Sequence, residues 1–187
     1  DEPYEKFIYD GQKHVSFASL PKMAARTVTI NSFSKTYCMT GWRVGYASGP
    51  EEVIRGMIKF QENVSSCVNA AAQQGAVAAL AGPQDEIKTM KAAYETCRNL
   101  LTDGLNHIAG FSCIKPQGAF YVFANIEEMG MDSLSAAMMI LDRTRVTMAP
   151  GSSFGKDGEG FLRISFCADR EDIEEMLLRL EKEFGRK

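Results

Sequence analysis

Apolar positions along this chain fall into short segments whose spacing switches between every second residue and every third or fourth, which predicts strands alternating with helices. Arg26 to Asn31 (RTVTIN) is a β-branched run that predicts a buried strand, and the polar stretch from Ser32 to Thr40 predicts an irregular turn. Arg43 to Ala47 (RVGYA) predicts a second strand, ended by Gly49-Pro50. Glu51 to Phe60 carries apolar residues at 53, 54, 57, 58 and 60 behind an acidic first turn, so it predicts a helix. Asn69 to Ala81, rich in Ala and Gln, predicts another, closed by Gly82-Pro83.

Beyond that break, Ile87, Met90, Tyr94, Cys97, Leu101, Leu105 and Ile108 repeat every three or four residues. They predict one long amphipathic helix running to Gly110, the best candidate for a connector between domains. Cys113-Ile114 and Phe120 to Ile126 read as strands, Ser133 to Asp142 as a short helix, and Arg145 to Met148 and Phe161 to Cys167 as strands. The last helix is expected to open at Asp169, with its side chain capping the N–H of Asp172, and to bury Ile173, Met176, Leu177, Leu180 and Phe184. The alternation throughout indicates an α/β protein, without internal repeats or low-complexity tracts.

Composition narrows the function classes. The 187 residues hold 21 Lys plus Arg against 24 Asp plus Glu, a net charge of −3, which argues against a polybasic nucleic-acid or membrane binder. No run approaches the roughly 18 apolar residues needed to span a bilayer, and the opening DEPYEKF is acidic where a signal peptide would be basic. Five scattered cysteines without a CxxC pair suggest reduced thiols and a cytoplasmic location. With only His14 and His107, neither a histidine-based metal site nor a Ser-His-Asp triad is expected.

The segment Ser32 to Tyr46, SFSKTYCMTGWRVGY, carries the most chemistry. Lys35 is flanked by Ser32 and Ser34 at the end of an apolar strand, eight residues before Arg43, so an amine nucleophile stands beside an anion site. Hydroxyls, backbone N–H groups of a Gly-bearing turn and the Arg43 guanidinium would together hold a phosphate dianion. A neighbouring guanidinium and partial desolvation would favour the neutral amine that a Schiff-base lysine requires. An exposed Lys and Arg in a polar loop would show the same letters, so the segment alone does not decide.

In its order Ser-x-Ser-Lys, spacer, Arg-apolar-Gly, this run resembles the cofactor-lysine signature of the class I and II aminotransferases, fold type I enzymes that use pyridoxal 5'-phosphate. Ser32, Ser34, Lys35, Arg43, Val44 and Gly45 occupy the signature places, with Cys38 where relatives mostly carry Ala or Ser. The resemblance implies that Lys35 bonds the cofactor and later moves a proton at the substrate's Cα, that Ser32 and Arg43 bind the cofactor phosphate, and that Ser34 assists or serves only the turn. Asp1-Glu2-Pro3-Tyr4-Glu5 resembles the family's D-E-x-Y-E block, with Pro3 in place of an aliphatic residue. It implies that Asp1 keeps the pyridine nitrogen protonated, which makes the ring an electron sink, and that Tyr4 donates its phenol O–H to the ring oxygen.

Near the other end, Phe161 to Phe166 alternates, placing Arg163 and Ser165 opposite Leu162, Ile164 and Phe166. Arg163 matches the family's R-[IL]-S block, which implies a bidentate clamp on the substrate α-carboxylate. Gly118-Ala119-Phe120-Tyr121 and Pro150-Gly151-Ser152-Ser153-Phe154 resemble two further landmarks, assigned to fold more than chemistry. Gly151 to Asp157 is not a P-loop: its glycine spacing is one short, and Asp157 stands where a hydroxyl should meet Mg²⁺.

The resemblance implies the C-terminal part of a fold type I enzyme: the end of the large domain's mixed sheet over residues 1–84, then a small α+β domain with its connecting helix over 85–187. A fragment of a longer homodimeric enzyme is therefore expected, inactive alone, with a first part that exposes an uncovered sheet edge. That stretch is expected to be partly disordered, misarranged or paired with another copy. The implied reaction moves an amino group between an amino acid and a 2-oxo acid. A lyase or synthase of the same fold, or the aminotransferase-like domain of a transcription regulator, remains an alternative. Side-chain specificity is not legible in these residues.

Overall fold

A computed structural model describes residues 1–186, which divide by their contacts into two units, the boundary falling between Thr89 and Met90. In the first unit, β1 (Thr29–Ser32) pairs antiparallel with β2 (Gly45–Ser48), Ser32 opposite Gly45 and Thr29 opposite Ser48. Gly45 is required at this crossing, because a Cβ there would lie 2.6 Å from the Asn31 carbonyl oxygen. The expected irregular turn after β1 contains one helical turn, α1 (Phe33–Thr36), with Ser32 as its N-cap. The second strand begins two residues later than its sequence predicts: Arg43 adopts a left-handed conformation, φ 52°, and stands outside it.

The helix predicted from Glu51 extends over α2 (Glu51–Val64), and the next is α3 (Ala70–Ala81), whose N-cap Asn69 accepts the Ala72 N–H at 3.0 Å. One small core cluster of this unit is Phe33, Met39, Val44, Ala72 and Ala76, so the Ala-rich helix packs directly beneath the α1 turn. α2 is amphipathic yet has no buried residue. Together with Ile30 and Tyr46, its Ile54, Met57 and Ile58 line an open groove of about 550 Å³.

The boundary between the units falls inside α4 (Asp85–His107), the long helix predicted by the apolar repeat. In the second unit, β3 (Tyr121–Asn125), β4 (Ala149–Pro150) and β5 (Phe161–Ser165) form an antiparallel sheet in the order β3-β5-β4. Val122, Ala124, Leu162 and Ile164 are buried on one face, with Leu101 and Leu105 of α4, Ala136 and Ile140 of α5 (Ser133–Thr144), and Ile173 and Leu180 of α6 (Arg170–Phe184) in the same core. Period-two burial in the strands and helical spacing in α4 to α6 thus converge on one core.

Three expectations need correction in this unit. Cys113-Ile114 is not a strand: the Asn106 side chain accepts the Cys113 N–H at 2.8 Å and donates to its carbonyl at 3.0 Å, taking the groups a ladder would use. Arg145 to Met148 is not a strand either, because Arg145 closes α5 in a left-handed conformation and pairing starts only at Ala149. Asp169 is the N-cap position of α6 but makes no side-chain cap bond.

Candidate active site

Backbone bonds gather four of the seven candidate residues at one end of the β1–β2 ribbon. Ser32 ends β1 and Gly45 starts β2 opposite it, so the Ser32–Lys35 turn and Arg43 share that end. The Phe33 N–H donates to the Val44 carbonyl at 3.3 Å, tying the turn to the residue after Arg43. Asp1 and Tyr4 belong to a segment fixed on β1 itself: the Glu2 N–H donates to the Ile30 carbonyl at 2.8 Å, and Glu5 N–H to Glu2 O at 3.2 Å folds the segment into a turn.

Each side chain in the turn has a definite task. The Ser32 hydroxyl oxygen accepts the Ser34 N–H at 3.1 Å, which leaves its O–H to donate elsewhere. Lys35 and Ser34 are half-buried on α1. Arg43 is exposed and spends one donor, Nη1, on the Thr40 carbonyl at 2.8 Å. Small residues of α3 permit this compact arrangement: a Cβ on Gly75 would come within 3.0 Å of the Trp42 ring.

This donor set suits the cofactor that the sequence implies. Two hydroxyls, a guanidinium and a lysine amine match a phosphate ester with a carbonyl, while the Asp1 carboxylate belongs to the segment fixed on Ile30.

Glu2, given no role by the sequence, is the hub of that segment. Its carboxylate accepts from His14 Nε2 at 3.0 Å, the Ser16 hydroxyl at 3.0 Å and the Phe17 N–H at 3.1 Å. These bonds, that from His14 foremost, hold its carboxyl below the usual glutamate range against the opposing effect of desolvation. A carboxylate with a histidine and a serine 12 and 14 residues on is too generic a spacing to have signalled this.

The seventh candidate, Arg163, lies in the second unit, on the sheet face opposite the core. Its guanidinium carbon stands 4.4 Å from the Tyr121 ring centroid and 4.1 Å from that of Phe154. Phe123, its cross-strand partner, stacks on Phe161 with centroids 5.0 Å apart and planes 6° from parallel.

The class I and II aminotransferase family model matches residues 1–180. The chain is 41% identical over 184 residues to aromatic-amino-acid aminotransferase 2 of Thermococcus litoralis, covering 97% of this chain and 47% of that protein. It is 42% identical to an aspartate aminotransferase of Pyrococcus abyssi, with the same coverage of each chain. The solved structure of an aromatic aminotransferase from Pyrococcus horikoshii superimposes with a TM-score of 0.93 at 41% identity, over 97% of this chain and 49% of that one. The chain thus spans about half the length of the curated relatives it matches.

Proposed function

The chain belongs to the class I and II aminotransferases, and from that premise we propose that it supplies the catalytic lysine and the substrate arginine of a pyridoxal-phosphate-dependent transaminase acting on an amino acid and a 2-oxo acid. The observation that carries this proposal is the Ser32–Lys35 turn, capped by its own serine and bonded through Phe33 to the strand that follows Arg43.

Lys35 would hold the cofactor through its ε-amine, Ser32, Ser34 and Arg43 its phosphate, Asp1 its ring nitrogen and Tyr4 its ring oxygen. When bound, that group supplies an electron sink for the pair left when the substrate's Cα–H bond breaks. The residues of the chain do the remainder. Arg163 grips the α-carboxylate by two parallel N–H bonds, which sets the direction of the Cα–H bond. Lys35 Nζ would take the proton from the substrate's Cα, acting as the general base for that bond. The Asp1 carboxylate keeps a proton on the ring nitrogen throughout.

Residues 1–84 are assigned to the large cofactor domain and 85–187 to the small domain of a homodimeric enzyme. A cytoplasmic setting is supported by five free cysteines, and among the described residues no helix is long and apolar enough to cross a membrane. The decisive experiment is borohydride reduction of the natural-length protein with pyridoxal phosphate, followed by peptide mass mapping. A pyridoxyl adduct on Lys35, lost in Lys35→Ala, is expected; an adduct on another residue overturns the assignment. Incubation with an amino acid should release the matching 2-oxo acid and leave the amino group on the cofactor. Release of free ammonia instead would indicate lyase chemistry.

A further inference from the structure

A charged side chain in mid-strand is ordinarily solvated or tied to a carboxylate. Arg163 is half-buried, and among the described residues no carboxylate or carbonyl engages its guanidinium. Two ring faces hold it, at 4.4 Å and 4.1 Å. An aromatic face attracts a cation through its quadrupole and consumes no N–H donor. The planar fork is thereby fixed in orientation while its donors stay uncommitted.

Both rings are themselves anchored. Phe154 meets Phe123 edge to face at 6.2 Å and 79°, and Phe123 is stacked on Phe161. Tyr121 packs on Phe120 at 4.8 Å, and Phe120 meets Tyr94 of α4 at 5.9 Å. Phe154 nevertheless stays 48% exposed and Phe123 38% exposed, so this face of the sheet is aromatic without being covered. A row of rings with this exposure is poorly explained by core packing and well explained by the cation it frames.

We infer that Tyr121 and Phe154 are positioning residues that hold the Arg163 guanidinium between their rings, presenting its N–H fork to the α-carboxylate of an amino-acid substrate. This rests on the transaminase proposal above for the identity of the carboxylate. It gives the two landmarks first assigned to fold a part in substrate recognition.

The test uses the natural-length protein with its cofactor and two independent readouts. The Arg163 Nε–Hε resonance, assigned by its loss in Arg163→Lys, should be shifted upfield by the two rings. Phe154→Leu and Tyr121→Leu should each move it toward the position of an exposed arginine, and Phe154→Tyr and Tyr121→Phe should leave it in place. In steady-state kinetics each leucine variant should raise KM for the amino acid about ten-fold with kcat within about two-fold, while the ring-retaining variants stay within about two-fold in both. Phe154 is half-exposed, so its truncation should leave the core folded, which thermal unfolding checks. Leucine variants with an unmoved resonance or an unchanged KM overturn the inference. An unchanged KM in Arg163→Lys is a different failure, because it removes the carboxylate assignment itself.

Discussion

At the scale of single residues, the candidate site in the first unit depends on groups that bond inward so that others can face outward. Glu2 fastens the Asp1–Tyr4 segment to the loop carrying His14 and Ser16, while its own N–H fastens that segment to β1. Its carboxyl is more acidic in the folded protein than in an unfolded chain. The stability it contributes is therefore full above the ordinary glutamate range and is lost as the pH falls through its depressed folded value. Thermal unfolding of Glu2→Gln should accordingly fall short of wild type at neutral pH, and the gap should close in acid. A gap that widens on acidification would contradict this origin. Thr29 presents the opposite case: its hydroxyl oxygen is the one buried side-chain polar atom without a partner among the described residues. Thr29→Val, nearly isosteric, should raise stability by about 1 kcal/mol in denaturant titration, because a buried unpaired hydroxyl costs about 1–3 kcal/mol.

At the scale of elements, caps and close approaches decide where helices and turns stand. Asn69 caps the helix that supports the lysine turn, and Asn69→Ala should lower the stability of the first unit by about 1 kcal/mol. Gly151 opens the PGSSF turn, where a Cβ would overlap the Gly158 carbonyl and lie 2.6 Å from that of Phe161. Both contacts are backbone, so they yield less than a side chain would. Gly151→Ala should cost about 2 kcal/mol or more by the measure of overpacked sites, and should also displace Phe154, visible as a shift of the Arg163 Nε–Hε resonance. Arg98 shows what periodicity misses: it falls on the buried side of α4, fully enclosed, donating to the Pro116 carbonyl at 3.0 Å and pairing with Glu95 at 3.6 Å. Arg98→Ala should destabilise the second unit by about 1–3 kcal/mol, because the Pro116 carbonyl loses its donor while the partly exposed Glu95 can turn to solvent.

At the scale of the whole molecule, the two units differ in how much apolar surface they hide. The second surrounds one core of strands and helices, whereas the first leaves Ile30, Tyr46, Ile58 and Phe60 at 44% exposure or more. In native-state hydrogen exchange on the 187-residue chain, residues 26–48 should exchange faster than α6. Equal protection in a monomer would mean that the β1–β2 ribbon is stable uncovered. Much of this organisation was legible in the sequence, because the period of apolar residues reports which side of an element faces the core, and α4, α6, β3 and β5 follow it within a few residues. The order of Ser32, Lys35 and Arg43 was equally plain, since a spacing along the chain survives any arrangement of the rest. Other features were not legible. Asn106 replacing a ladder at Cys113, Glu2 reaching His14, and Tyr121 and Phe154 closing on Arg163 all join residues whose meeting depends on where separate elements come to rest. Local pattern records a residue's preference for burial and turn; which distant side chain satisfies it is settled only when the chain packs.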